Sequence, residues 1–336
     1  QTTVINETVV PDGFAGAGPS GGAPGGVPGP NDNANGDAAP ETGVIVRFDG
    51  AAWRDTLGRD WSALVNFDLP DHDVFSIDAN TLSAASVQEF DHVGTTLFNM
   101  VVNPQNGKVY VTNTESPNEV LFEGPGAHGG STVQGHLAES RITVIDPSGP
   151  TVDPQHLNQH IDYGQLHTDA GANHAAIDAQ IPHSLSTPLQ PVVSSDGATL
   201  YVAAFGSNKI GVFATSAIED ASFETNFDPT VASASYIATG GGPSGLVLDE
   251  ASGRLFVLTR YANAVEVIDA GTGAVLETHP LPNPEPGSVT DGRPFLYDAT
   301  LTSGNGEASC ASCHIFGDLD QLAWNLGDPD GLVNAN

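Results

Sequence analysis

From Val44 onward the chain breaks into short apolar-rich runs, VIVRFDG, WSALVNFDLP and DVFSID, each closed by Gly, Asp or Pro. Alternating apolar and polar positions over such runs predict half-buried strands, and the closing residues predict turns. An internal repeat then emerges. NPQNGKVYVTNT (103–114) is followed, after an insertion, by SRITVIDPSG (140–149); SSDGATLYVAAFGSNKIGVFATS (194–216) is a second copy, and DEASGRLFVLTRYANAVEVIDAGTGAVLETHPL (249–281) a third. Each copy runs from a Gly-containing turn into an alternating strand, a Ser/Asn turn and a second strand.

The turn glycines set the register. Gly197 and Gly253 lie 56 residues apart, whereas Gly107 and Gly197 lie 90 apart. The longer interval holds an insertion at about 124–186 that is rich in histidine. A further apolar run precedes each turn (LFNMVVNP, QPVVSSD, SGLVLDE). With a connecting strand, each unit becomes a four-stranded antiparallel sheet, and sheets of this kind stacked radially build a β-propeller. Residues 11–43, dominated by Gly, Pro, Ala and Asn, offer nothing to bury and predict a linker or long surface loop. The organisation expected is therefore 1–43 linker, 44–288 propeller blades and 289–336 a separate segment, within an all-β fold.

Composition agrees with that class: 39 Gly and 24 Pro in 336 residues favour turns over helices. Charge adds a constraint. Nine Lys and Arg against 41 Asp and Glu give −32, a field that repels nucleic acid and acidic membranes. It suits either solubility in a saline or extracellular medium or attraction of cationic partners. No apolar run approaches the length of a membrane span.

Only two cysteines occur, Cys310 and Cys313, and His314 follows them directly in CASCH. This spacing is that of haem c attachment: two thiols form thioethers and the adjacent imidazole reaches the iron as proximal ligand. A redox CxxC and a zinc half-site are the alternatives; a zinc site would want further Cys or a close His pair. Haem c is attached outside the cytoplasm, so an extracytoplasmic location (periplasmic, cell surface or secreted) is expected.

Two resemblances follow from these residues. Tyr110-Val111-Thr112-Asn113 spells YVTN, and residues 73–285 resemble the YVTN-type seven-bladed propeller repeats of bacterial and archaeal surface and periplasmic proteins. GRPFLYDATLTSGNGEASCASCH resembles the haem-binding segment of di-haem cytochrome c peroxidases, with Gly292, Phe295, Tyr297, Asp298, Leu301 and Ser303 in corresponding places and SCASCH at Ser309 to His314. Together they resemble propeller–cytochrome fusions, implying the start of a small α-helical cytochrome c module after the blades. Three or four blades are visible, and against the family pattern the chain reads as a piece cut at both ends, completed by further segments or other chains. The second CxxCH and the distal-ligand segment of the peroxidases are missing.

The distal ligand is thus open. Met100, the sole methionine, lies in a blade strand where a core role is expected; His183 and His279 are further candidates. His156, His160 and His167 in the insertion are candidates for a second metal, against a plain surface role. Asn31, Asn33, Asn35 and Gly36 echo a calcium loop whose acidic position falls on Thr42, and Asp318, Asp320, Asp328 and Asp330 are oxygen donors that suit Ca²⁺ or turn caps. Trp324 suits packing on the porphyrin edge or electron relay, or simple core packing.

Three functions compete: electron transfer to a redox partner or another cytochrome, a peroxidase-like or oxygenase-like haem enzyme, and a self-assembling surface protein, a homo-oligomer. Electron transfer asks least of the residues present.

Overall fold

A computed structural model describes residues 1–6, 43–56, 58–65, 71–120, 133, 135–163 and 174–324. The chain forms two compact units, one from residues 1–70, 117–137 and 321–336, the other from 71–116 and 138–320.

In the first unit, β1 (Thr2–Ile5), β2 (Val44–Phe48) and β3 (Trp53–Arg54) form an antiparallel sheet in that order. Alternation in β2 turns Val44 and Val46 inward onto Ile5, Trp53 and Trp61. The Trp61 indole donates to Asp55 Oδ2 at 3.0 Å, which also pairs with Arg59. Val44–Phe48 therefore belongs to this sheet rather than to a four-stranded blade.

The second unit holds the repeat. β4 (Val74–Ser76) pairs with β5 (Gln88–Phe90). Three four-stranded antiparallel blades follow: β6 (Thr96–Val102), β7 (Val109–Glu115), β8 (Glu139–Asp146) and β9 (Thr151–His156); β10 (Pro188–Val193), β11 (Thr199–Ala204), β12 (Lys209–Ala214) and β13 (Ile237–Ala238); β14 (Pro243–Asp249), β15 (Arg254–Thr259), β16 (Ala264–Asp269) and β17 (Val275–Pro280). The first strands lie side by side, β10 between β6 and β14. The turn glycines used for alignment, Gly107, Gly197 and Gly253, all have φ between 67° and 77°, which is why glycine recurs there.

YVTN is a blade-stacking device. Tyr110 faces the core between the first and second blades with Ile142, Leu200, Val202 and Phe213, while Val111 faces the opposite way onto Val74, Phe90 and Val93. Thr112 Oγ1 donates to Leu189 O of β10 at 2.6 Å, tying one blade to the next. Asn113, fully buried, donates to Val111 O and Thr143 Oγ1. A second inter-blade core (Ile210, Leu246, Leu255, Val257, Ile268) repeats the pattern. Met100, expected in the core, is 49% exposed on β6. Its face of the first blade is the one on the β4–β5 side, where Val74 and Phe90 pack on Val111 and Ile145.

After β17 the chain leaves the sheets and forms a helix, Gly287–Tyr297, with Pro294 inside it, and a short helix, Ala299–Thr302. The buried Arg293 side chain donates to Arg260 O at 2.9 Å and pairs with Glu285. Asp298 caps the short helix through Thr300 N at 2.8 Å, and its second oxygen accepts from Asn208 Nδ2 at 2.7 Å. The residues leading into CASCH are thereby fastened to the second and third blades.

Candidate functional site

CASCH hangs from two anchors. The first is a close approach: Gly306 has φ +79°, and a Cβ there would stand 3.1 Å from Ile181 Cα, so only glycine is unstrained. Beside it Ser184 Oγ donates to Asn305 O at 2.6 Å.

The second anchor is Glu307, three residues before Cys310 and only 1% exposed. Its Oε1 accepts from Asn158 Nδ2 at 2.8 Å and from Ser140 N at 3.2 Å, and lies 2.7 Å from His156 Nε2. The Tyr163 hydroxyl donates to Oε2, and the His156 and Tyr163 rings stack. Burial alone would raise the Glu307 pKa, but the charge of His156 and the converging donors hold it below the usual carboxylate range. Burial likewise pulls His156 down, yet the Glu307 charge prevails and raises it. Burial and the same carboxylate push Tyr163 well above its ordinary value, so its hydroxyl stays a donor. This cluster joins the ends of β8 and β9 to the cysteine segment.

Around a 3₁₀ turn, Cys310–Ser312, Ser309 N donates to Ser312 Oγ at 3.1 Å and Ser312 N donates to Ser309 O at 2.9 Å. In such a turn residues i and i+3 eclipse. Ala311 and Ser312 face inward, while Cys310 is exposed and Cys313 partly so, bringing the two thiols to one side. His314 N donates to Cys310 O at 3.0 Å, and His314 Nδ1 lies 3.3 Å from Asp318 O, a contact that directs Nε2 away from the backbone. Exposed apolar side chains surround the turn: Phe316 at 64%, which meets Phe98 edge to face at 6.2 Å, and Leu319 at 57%. Burial, with the nearby Asp320 and Cys310, pushes the Cys313 thiol up to about 11.

Beside the turn is a cavity of about 690 Å³. One wall is the helix through Val289, Gly292, Arg293, Leu296 and Tyr297; Leu189, Phe205, Ser244 and Arg260 of the blades face it, Phe316 lines it too, and so does Glu285, whose carboxylate pairs with Arg293 and lies 3.8 Å from Arg260. Phe205, Tyr261 and Tyr297 pack there with centroids 5.1–6.4 Å apart. The cysteines do not line it.

Of the other candidate residues, His160 and His183 meet edge to face with ring centroids 5.8 Å apart, and the rest are dispersed. His156 belongs to the Glu307 cluster; His160 Nε2 lies 3.0 Å from Gln180 O and 3.1 Å from Ser184 Oγ; His183 Nδ1 lies 2.6 Å from Ser233 Oγ. His156 ends a strand, so its four-residue spacing from His160 is not helical. Among the described residues no group of three or more His, Cys, Asp or Glu is placed to hold a metal ion. His279 is exposed on β17 beside Glu277. Trp324 belongs to the first unit. Asp318 Oδ1 accepts from Leu319 N, and Asp320 N donates to Cys313 O, roles of turn residues. His167, Asn31, Asn33, Asn35, Gly36, Thr42, Asp328 and Asp330 lie outside the described residues. Sequence reasoning missed Glu307, Asn158, Tyr163, Arg260 and Arg293; the only local signal was an acidic residue inside an otherwise small, polar run before the first cysteine.

No family model matches the chain, and no curated protein matches it. Solved structures do. Hydrazine synthase of Kuenenia stuttgartiensis shares 14% identity at a TM-score of 0.39, over 57% of this chain and 50% of that one. The periplasmic gluconolactonase of Pseudomonas aeruginosa shares 15% at 0.33, over 75% and 53%. The β-propeller domain of the trilobed protease of Pyrococcus furiosus shares 11% at 0.30, over 56% and 43%. The chain spans about half the length of these structures. At such identities the likeness concerns fold alone. What the four-stranded blades and their stacked cores establish is a β-propeller scaffold.

Proposed function

We propose that this is an extracytoplasmic haem c protein that transfers electrons from a β-propeller scaffold. The observation that carries the reading is the Cys310–His314 turn: two free thiols on one side, an imidazole whose Nδ1 is engaged by a backbone carbonyl, and exposed apolar side chains around them. That donor set fits haem c, with Cys310 and Cys313 as thioether donors and His314 Nε2 as iron ligand.

When bound, haem c supplies a one-electron Fe(III)/Fe(II) couple. The protein's part is to hold the ring. Glu307 and Gly306 fix where the turn sits on the blades, the Asp318 carbonyl fixes the imidazole orientation, and Phe316 and Leu319 offer apolar cover. A surface of charge −32 would draw a basic redox partner, with an on-rate that falls as salt rises. The test is stopped-flow reduction of the haem-loaded protein by a small basic electron carrier. Fast, salt-sensitive one-electron reduction without peroxide turnover is expected. Slow, salt-independent reduction accompanied by peroxide turnover would favour a haem enzyme instead.

A further inference from the structure

In a chain with only nine lysines and arginines, two arginines sit on one cavity beside the CASCH turn, with a single carboxylate, Glu285, on the same lining. Arg293 is 7% exposed and is held in place, donating to Arg260 O and paired with Glu285. Arg260 is different. Its side chain is 45% exposed, and its contacts are long: 3.8 Å to Glu285 Oε1 and 3.5 Å to Asn263 Oδ1. A guanidinium has five donors in a planar fork suited to a carboxylate, and these contacts leave Arg260 able to take one. The Phe205–Tyr261–Tyr297 cluster supplies flat apolar surface beside it.

We propose that Arg260, held by Arg293, binds carboxylate in this cavity, and that the carboxylate is a haem propionate. This rests on the haem c reading above. Chemistry sets the direction. The thioether-forming vinyl groups and the propionates occupy opposite sides of the porphyrin, so a ring tethered at Cys310 and Cys313 carries its carboxylates away from the thiols. Phe316, two residues past His314, lines the cavity that contains Arg260. This accounts for a cavity that neighbours CASCH without being lined by its cysteines. Arg260 is then a positioning residue that also sets the field at the haem: its positive charge favours the reduced form, which carries one positive charge fewer.

The test uses the haem-loaded protein, with Arg260→Gln and Arg260→Lys beside the parent, in three readouts. A pyridine haemochrome spectrum reports covalent haem. The midpoint potential should fall in Arg260→Gln by about 59 mV, a tenfold change in a one-electron equilibrium, and should be largely restored in Arg260→Lys. Titration with benzoate reports whether the cavity takes a free carboxylate. If haem is present in all three proteins and the potentials coincide, the propionate assignment is overturned while the haem reading stands. Saturable benzoate binding that Arg260→Gln abolishes would overturn it too, by assigning the site to a free carboxylate. A parent protein without covalent haem overturns the haem reading and the propionate assignment together, and only the spectrum reports that result.

Discussion

Replacing Glu307 with Ala should release the cysteine segment from the blades. The carboxylate is buried and gathers His156 Nε2, Asn158 Nδ2, Ser140 N and the Tyr163 hydroxyl. Hydrogen bonds to a charged group contribute about 1.5–3 kcal/mol each when lost singly. They share one acceptor group and cannot be summed. Breaking a buried ion pair by removing one partner costs about 3–5 kcal/mol in all. At about 1.4 kcal/mol per tenfold, this is a rise of roughly 10²- to 4 × 10³-fold in the opening equilibrium. Hydrogen–deuterium exchange of the amides from Glu307 to His314 reads it directly. Glu89→Gln, at a half-exposed carboxylate, is the control and should leave protection unchanged. The cluster also has a pH window. Glu307 is lowered from 4.5, so its contribution is complete above that value and is lost as pH falls through the folded pKa. His156 is raised from 6.5, so its contribution is complete below that value and is lost as pH rises through its folded pKa. Protection should therefore peak between about 4.5 and 6.5, after correction for intrinsic exchange. A Glu307→Ala protein whose segment keeps protection within tenfold of the parent would refute the anchoring role.

Gly306→Ala places a Cβ against Ile181 at φ +79° and should cost more than about 1 kcal/mol, read as faster proteolysis of the 303–314 segment. Thr112→Val removes the buried inter-blade bond to Leu189 O and leaves that carbonyl without its partner; a loss of about 1–3 kcal/mol is expected in urea unfolding followed by tryptophan and tyrosine signals. In protein prepared without haem, Cys313 should react with iodoacetamide slowly at neutral pH and accelerate towards pH 11, as expected for a thiol raised to about 11. Fast neutral labelling of Cys313 would contradict the burial assigned to it.

The blades were legible because their determinants are local. Gly107, Gly197 and Gly253 mark one left-handed turn position in three sheets, and the residues around them alternate with the strand period. The CASCH motif is just as local, since the residues of the proposed haem site lie within five positions. What the sequence hid depends on distant partners. β1 is a strand through pairing with β2, across a long intervening segment, and QTTVI alone gives little sign of it. Glu307 reads as one more acidic residue in a chain of 41 until Ser140, His156, Asn158 and Tyr163 converge on it from far along the chain. The same convergence explains why His156, placed by spacing among metal candidates, instead partners a carboxylate. Met100 matched the strand pattern, but its exposure depends on what its sheet face meets, which periodicity does not encode.

The most direct test of the central claim is the pyridine haemochrome spectrum of the purified protein after extraction of non-covalent haem, beside that of Cys310→Ala/Cys313→Ala. A c-type spectrum at one haem per chain in the parent, and none in the double variant, is the predicted result. A parent with no c-type spectrum after expression with haem c maturation, or a double variant that keeps one, would contradict it.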